Sequence, residues 1–297
     1  MSTFKTIGLI GRRADTRVAP TLLQLCDRLG ELERTVLIEQ GAVGLEACTA
    51  ERTTRADMAR RCDLVVVVGG DGTLLSVARA LTPHGVPILG VNQGRLGFMV
   101  DVAPSEIRET LRAVFAGEYE REERLLLEAR IQRRDQTIGP FLAINDVVIR
   151  NQASIRMLEF ETWLDDEFIS QHRADGFIVS SPTGSTAYAL SGGGPVLHPG
   201  LEAIALVPIC PHTLSDRPIV VGARQTVRIV LRGSESAVAM CTCDGQNSEI
   251  LGPGEVLEVR AAQSRLSLIH PKGYSYFNIL RNKLHWGRGP ILNSETS

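Results

Sequence analysis

The chain has 297 residues, 43% of them hydrophobic and 22% charged, with a formal net charge of −2. That composition is globular, the length suggests two domains, and a chain this long can bury a core without disulfide or metal staples. With 32 basic against 34 acidic residues there is no global field to draw nucleic acid or an anionic membrane, so an anionic ligand must be held by local groups.

The first third alternates short apolar runs with helix-like stretches. Residues 6–10 form an apolar run ended by Gly11, 18–29 carry helical spacing, and 35–38 form a second short run. Residues 63–68 read DLVVVV, the pattern of a strand covered on both faces. Helical spacing returns over 73–81, a buried strand over 87–91, and a helix over 105–115 with Pro104 near its start and Gly117 near its end. Strands alternating with helices predict a parallel sheet. After about residue 120, residues 125–132, 141–150, 158–164, 167–171, 177–180, 219–221, 227–231, 237–241, 256–259 and 266–269 read as strands, punctuated by turns such as Gly252-Pro253-Gly254. One helix near 185–190 interrupts them, and another over 274–284 closes the chain. The expected fold is an N-terminal α/β domain over 1–120 with a parallel, Rossmann- or flavodoxin-like sheet. A β-rich, mostly antiparallel, sandwich-like domain follows over 121–271, and 272–297 packs back on the first.

Six cysteines (Cys26, Cys48, Cys62, Cys210, Cys241 and Cys243) are scattered without a CxxC pair and read as small buried side chains. Cys241 and Cys243 would share one strand face. His84, His198, His212, His270 and His285 have no ligand spacing, so no metal site built from protein side chains alone is expected. The N-terminal apolar run is too short for a signal peptide and no apolar stretch of about 18 residues exists, which fits a cytoplasmic home.

Four constellations carry chemistry. Gly69, Gly70, Asp71, Gly72 and Thr73 follow the valine-rich strand and open a helix, the carboxyl strand end where α/β sheets bind ligands. The glycines admit a phosphate and the helix N-terminus favours it. A carboxylate there repels phosphate unless it contributes chemistry of its own, either by taking a proton from an attacking hydroxyl or by holding Mg²⁺. The structural alternative is Asp71 as a helix N-cap. The loop is neither a Walker A motif nor GxGxxG. Second, SPTGSTAY (residues 181–188) with Gly192-Gly193-Gly194 offers hydroxyls and amides to a phosphate, a ribose or a base edge, or else merely caps a helix. Third, Asn145-Asp146 is a polar pair inside an apolar strand, costly to bury unless partnered; it reads as a contact to adenine and ribose or as an internal network. Fourth, Arg173 and Asp175 in HRADG suit a phosphate and a hydroxyl, or a surface ion pair.

GGDGT, NQGRLGFMVD, INDVVIR, ADGFIVSSPTGSTAYALSGGGPVLHP, ICPHTLSDRPIVV and IHPKGYSYFNIL, in that order over about residues 6–285, together resemble bacterial NAD kinases. Ser181 departs from the commoner Thr but keeps the hydroxyl. The resemblance implies transfer of the γ-phosphoryl of ATP, with Mg²⁺ or another divalent cation, to the 2′-hydroxyl of the adenosine ribose of NAD. It implies Asp71 as the proton acceptor and Gly72 beside it. It also implies Asn145 and Asp146 as the adenosine-binding pair, and Thr186, Ala187, Tyr188, Ala189, Leu190 and Ser191 as the adenine and ribose pocket. Arg173 and Asp175 would lie near the nicotinamide half or a neighbouring subunit, with Gln246 and Arg156 as further contacts. A homodimer or homotetramer is implied, and inorganic polyphosphate is an alternative donor within the family. Two rivals are a lipid kinase sharing the GGDG loop, for which no apolar acceptor groove or basic membrane face is seen, and a non-catalytic NAD(P) sensor, against which Asp71 stands intact.

Overall fold

The computed structural model describes residues 4–151, 157–213, 215–234 and 237–285. The chain forms two compact units, residues 1–122 with 267–297, and residues 123–266.

The first unit opens with β1 (Thr6–Gly11), α1 (Ala19–Glu31), β2 (Thr35–Glu39), β3 (Glu51–Thr53) and α2 (Arg55–Arg61). It continues with β4 (Leu64–Val68), α3 (Asp71–Leu81), β5 (Ile88–Val91) and α4 (Ile107–Phe115). The strands are parallel in the order β5-β4-β1-β2-β3. Every residue of β4 is buried, because its branched side chains fill both faces of a covered sheet. Leu22, Leu25 and Leu29 of α1 and Ile107, Leu111 and Val114 of α4 complete that core. The chain moves outward from β1 through β2 to β3 and then returns to β4 on the other side of β1. Such a reversal opens a crevice at the carboxyl strand ends, and GGDGT follows β4 there.

The second unit is built from β6 (Tyr119–Arg133), β7 (Gln136–Ala143), β8 (Asp146–Asn151), β9 (Leu158–Leu164), β10 (Glu167–Ala174) and β11 (Gly176–Ser180). After the short α5 (Tyr188–Ser191) come β12 (Ala203–Ile209), β13 (Ile219–Gly222), β14 (Val227–Arg232), β15 (Ala239–Cys243), β16 (Asn247–Leu251) and β17 (Val256–Pro271). One sheet runs β10-β9-β14-β17 with β6 and β7 attached, and the other runs β13-β12-β11-β8-β15-β16. Leu127, Phe160, Ile229 and Leu257 from the first sheet meet Val147, Phe177, Leu206 and Cys241 from the second in one core, a sandwich. Cys241 and Cys243 both point into it, as their two-residue spacing requires.

Three local expectations need correction. The run 141–150 is not one strand: β7 ends at Ala143 and β8 begins at Asp146. The helix expected over 185–190 is a 3₁₀ turn, Thr183–Thr186, followed by only four α-helical residues. Cys26 and Cys48 are not isolated thiols but a disulfide, α1 and the segment after β2 bringing their Cα atoms to 6.7 Å. No helix among the described residues is long and apolar enough to cross a membrane.

The last element among the described residues is α6 (Tyr276–Leu284), which belongs to the first unit, its N-terminus capped by Ser275 accepting from the Asn278 amide. Ahead of it, Leu268 and Ile269 pair in parallel with Ile88 and Leu89 of β5. The next residue, His270, is buried between two carboxylates, with Nδ1 2.9 Å from Asp101 and Nε2 3.2 Å from Glu122. Burial opposes its charge, but hydrogen bonds and charge from Asp101 and Glu122 outweigh that and raise its pKa. A raised folded-state pKa gives stability that is whole below the unfolded value and lost as pH rises through the folded one. Thermal unfolding of His270→Gln against the parent should therefore show a larger loss at pH 6 than at pH 9.

Candidate functional site

In the first unit the site is made by the end of β4 and a returning loop. The N-cap of α3 is Gly70 and no side chain caps the helix, so Asp71 is not its cap. Its carboxylate turns instead to the loop over residues 92–101. Oδ2 accepts from the Phe98 amide at 3.0 Å and Oδ1 from the Met99 amide at 2.9 Å. The loop is tied to β5 by Asn92 N–H donating to the Val102 carbonyl and Val102 N–H donating to that of Gly90. Gly97 permits the approach, since a Cβ there would lie 2.4 Å from Asp71 Oδ1. A Cβ at Gly69 would strike Thr73, whereas at Gly70 and Gly72 it would meet nothing within 4 Å. Those two positions thus present bare backbone with room for a ligand. On the last turn of α6, Lys283 Nζ stands 3.7 Å from Asp71 Oδ2.

In the second unit the centre is Asp244, a residue outside the four constellations of the sequence. It sits in the turn between β15 and β16 with a left-handed backbone (φ 51°). Its carboxylate accepts from the amides of Ile144 (3.1 Å), Asn145 (2.7 Å) and Asp146 (3.3 Å), and its own amide donates to the Asp146 carbonyl at 2.9 Å. Three consecutive amides taken by one carboxylate leave the sheet ladder, which is why the strand breaks at Asn145. The second motif closes on the same break. The Ser181 amide donates to the Asn145 carbonyl at 2.9 Å, and Ser181 Oγ donates to the Ile144 carbonyl. At Gly184 a Cβ would come within 2.1 Å of the Asn145 carbonyl oxygen, so only glycine fits.

A cavity of about 380 Å³ opens on this side of β8, lined among others by Asn145, Asp146, Ala187, Tyr188, Thr242 and Asp244. Asp146, Val148 and Arg150 face it from alternate positions of β8, while Val147 and Ile149 face the core. Burial, with the charge of Asp244 added, pushes the Asp146 carboxyl up to about 7.

The other expected residues are distributed around this centre. The Thr186 hydroxyl donates to the Thr183 carbonyl at 3.3 Å, Ser191 is exposed, and Leu190 is half-buried. Ala189 is packed among Val148, Ile178 and Leu197 beneath the surface. Arg173 is exposed and pairs with Glu159 at 3.2 Å. Arg173, Asp175 and Gln246 are not lining residues of the cavity. Arg156 lies outside the described residues. Between Arg173 and the core, buried His172 is fixed by Thr162 at 2.8 Å and Asp216 at 2.7 Å, and the His212 amide donates to the Arg173 carbonyl. The Asp244-Gly245 dipeptide is a turn signal that could have drawn attention to Asp244; nothing in the local sequence marks Lys283.

Residues 7–119 match the ATP-NAD kinase N-terminal domain, and residues 144–271 match the ATP-NAD kinase C-terminal domain. The NAD kinase of Teredinibacter turnerae is 46% identical over 287 residues, 96% of this chain and 98% of that protein. The chain belongs to the ATP-NAD kinase family. A second family member, the NAD kinase of Chromohalobacter salexigens, is 47% identical over the same shares of the two chains. Among solved structures, yeast NADH kinase complexed with NADH superposes with a TM-score of 0.89 at 22% identity, covering 98% of this chain and 90% of that one, a likeness of fold. An NAD kinase from Archaeoglobus fulgidus in complex with ATP gives 0.70 at 25% identity, covering 94% and 97%.

The raised Asp146 carboxyl contributes stability that is whole at pH values below its unfolded pKa of 3.8 and lost as pH climbs through about 7. Asp146→Asn, which carries no charge to bury, should gain in unfolding temperature relative to the parent on going from pH 5 to pH 8. A difference between the two proteins that does not change with pH would contradict the assignment.

Proposed function

We propose that Asp71 is the general base of the NAD kinase reaction, in which the adenosine-ribose 2′-hydroxyl of NAD attacks the γ-phosphorus of ATP. The activity itself is that of the family, whose two domain descriptions and bacterial relatives cover nearly the whole chain. The hydroxyl proton passes to Asp71 as its oxygen bonds to phosphorus and the bond to the leaving ADP breaks, giving NADP. The observation that carries this reading is that both Asp71 oxygens are fixed by backbone amides at a strand end instead of capping α3. Those donors keep an acceptor aimed and ready without reorganisation, which is what a general base needs.

The same surroundings bear on the divalent cation. Two N–H groups and an ammonium around Asp71 orient its carboxylate and do not suit a ligand for a dication. Among the described residues no three His, Cys, Asp or Glu side chains gather as metal ligands. We therefore read the cation, Mg²⁺ in the first instance, as arriving on the triphosphate, and assign it no protein-built site. The GGDGT backbone, bare at Gly70 and Gly72, is read as the phosphate loop.

For NAD we assign Asn145, Asp146 and residues 186–191, because the cavity beside β8 joins the first two to Ala187 and Tyr188. Arg173, Asp175 and Gln246 are assigned outlying contacts. A cytoplasmic homodimer or homotetramer completes the reading and rests on the family resemblance alone.

Asp71→Asn should lose at least about a hundredfold in kcat for NADP formation with ATP, the usual scale of general-base help. It should still bind NAD by calorimetry. Activity within about threefold of the parent would reject Asp71 as the base. The same assay with polyphosphate in place of ATP settles the donor.

A further inference from the structure

We propose that Lys283 is a positioning residue for Asp71: its ammonium holds the carboxylate in the reacting orientation and offsets its charge as an anionic phosphoryl donor approaches. This rests on the reading of Asp71 as the base.

Lys283 Nζ lies 3.7 Å from Asp71 Oδ2 and 5.1 Å from the centroid of the Phe98 ring. Phe98 is also the residue whose amide donates to that same Oδ2. Its ring packs at 6.3 Å against Tyr276, the first residue of α6, which is buried. Tyr276 and Lys283 are seven residues apart, two turns of helix, so they share one face. That face meets the Asp71 loop twice, once through the contact of the buried Tyr276 ring with half-buried Phe98 and once through the ammonium. The rings therefore fix where α6 lies, and the fixed helix delivers the cation to the carboxylate. The backbone amides orient Asp71 but carry no net charge. Lys283 supplies the formal positive charge that lets a carboxylate and a nucleoside triphosphate occupy the same crevice. When the ribose hydroxyl gives its proton to Asp71, the carboxylate becomes a neutral acid and its hold on the ammonium weakens at the moment negative charge moves to the donor's leaving oxygen.

The plainer alternative is a surface ion pair that also complements the C-terminal end of the α6 dipole. Both side chains are about one-third exposed, 32% for Lys283 and 27% for Asp71, so exposure does not separate the two readings and kinetics must.

The test measures NADP formation by the full chain with ATP and Mg²⁺. The proteins compared are the parent, Lys283→Met, Lys283→Arg, Asp71→Asn and the Asp71→Asn/Lys283→Met double variant. Lys283→Met should lose about ten- to a hundredfold in kcat with KM for NAD changed less than about threefold, and Lys283→Arg should regain most of the loss. In the Asp71→Asn background, where there is no charge to hold, Lys283→Met should change kcat by less than about twofold. A Lys283→Met enzyme within about threefold of the parent, an equal loss in both backgrounds, or no recovery with arginine would each overturn the proposal. Parent-like activity in Asp71→Asn would sink the base reading and this one with it. A crippled Asp71→Asn beside an unaffected Lys283→Met would sink this one alone. Should Lys283→Met unfold near the assay temperature, Lys283→Gln, which keeps a polar tip, gives the same readout.

Discussion

Two backbone N–H groups, those of Phe98 and Met99, reach one carboxylate at the end of a buried strand, and the architecture of the first unit serves that contact. Branched residues at every position of β4 make it a covered central strand, which brings its carboxyl end to the crevice where the sheet reverses. The loop over residues 92–101 can return to that point because it is tied to β5, the neighbour of β4. The contact also requires Gly97, where any side chain would collide with Asp71. Asp71 is the first residue of α3, one past the N-cap Gly70, so its carboxylate turns to the loop and not to the helix's own amides.

The second unit uses the same device in another form. Asp244 binds three successive amides at the break between β7 and β8, where Ile144 and Asn145 leave the ladder and Asn145 and Asp146 face a cavity. A polar pair in the middle of an apolar strand would be costly if the strand ran through it; broken there, it is partnered at the backbone. In both units a carboxylate takes consecutive backbone donors from a segment outside the regular ladder.

Much of this is legible in the sequence, because the decisive patterns are local. DLVVVV followed by GGDGT states a buried strand and a glycine-lined end, and the residues placed there lie there. Alternating strands after residue 120 state a sandwich. What is not legible depends on contacts distant in sequence. The run 141–150 reads as one strand because the carboxylate that breaks it comes from Asp244, about a hundred residues on. The strands β12 and β16 escape a reading by pattern. AIALVPI is an unbroken apolar run that periodicity alone does not separate from a buried helix segment, and NSEIL is a short polar edge, its pairing set by β15 and not by its own pattern. The helix over 185–190 is broken at Ala187, whose backbone (φ −102°, ψ −129°) lies outside the helical region, so a 3₁₀ turn precedes a single α-helical turn that ends at Ser191. Lys283 carries no signal at all, since only the fold of α6 onto the loop brings it to Asp71.

The most direct measurement is a crystal structure of the chain with NAD and a non-hydrolysable ATP analogue, read for the separation between the Asp71 carboxylate and the adenosine 2′-oxygen. The account predicts a hydrogen bond between them, about 2.6–3.2 Å. A dinucleotide seated with that oxygen beyond reach of Asp71, with no water bridging the two, would contradict it.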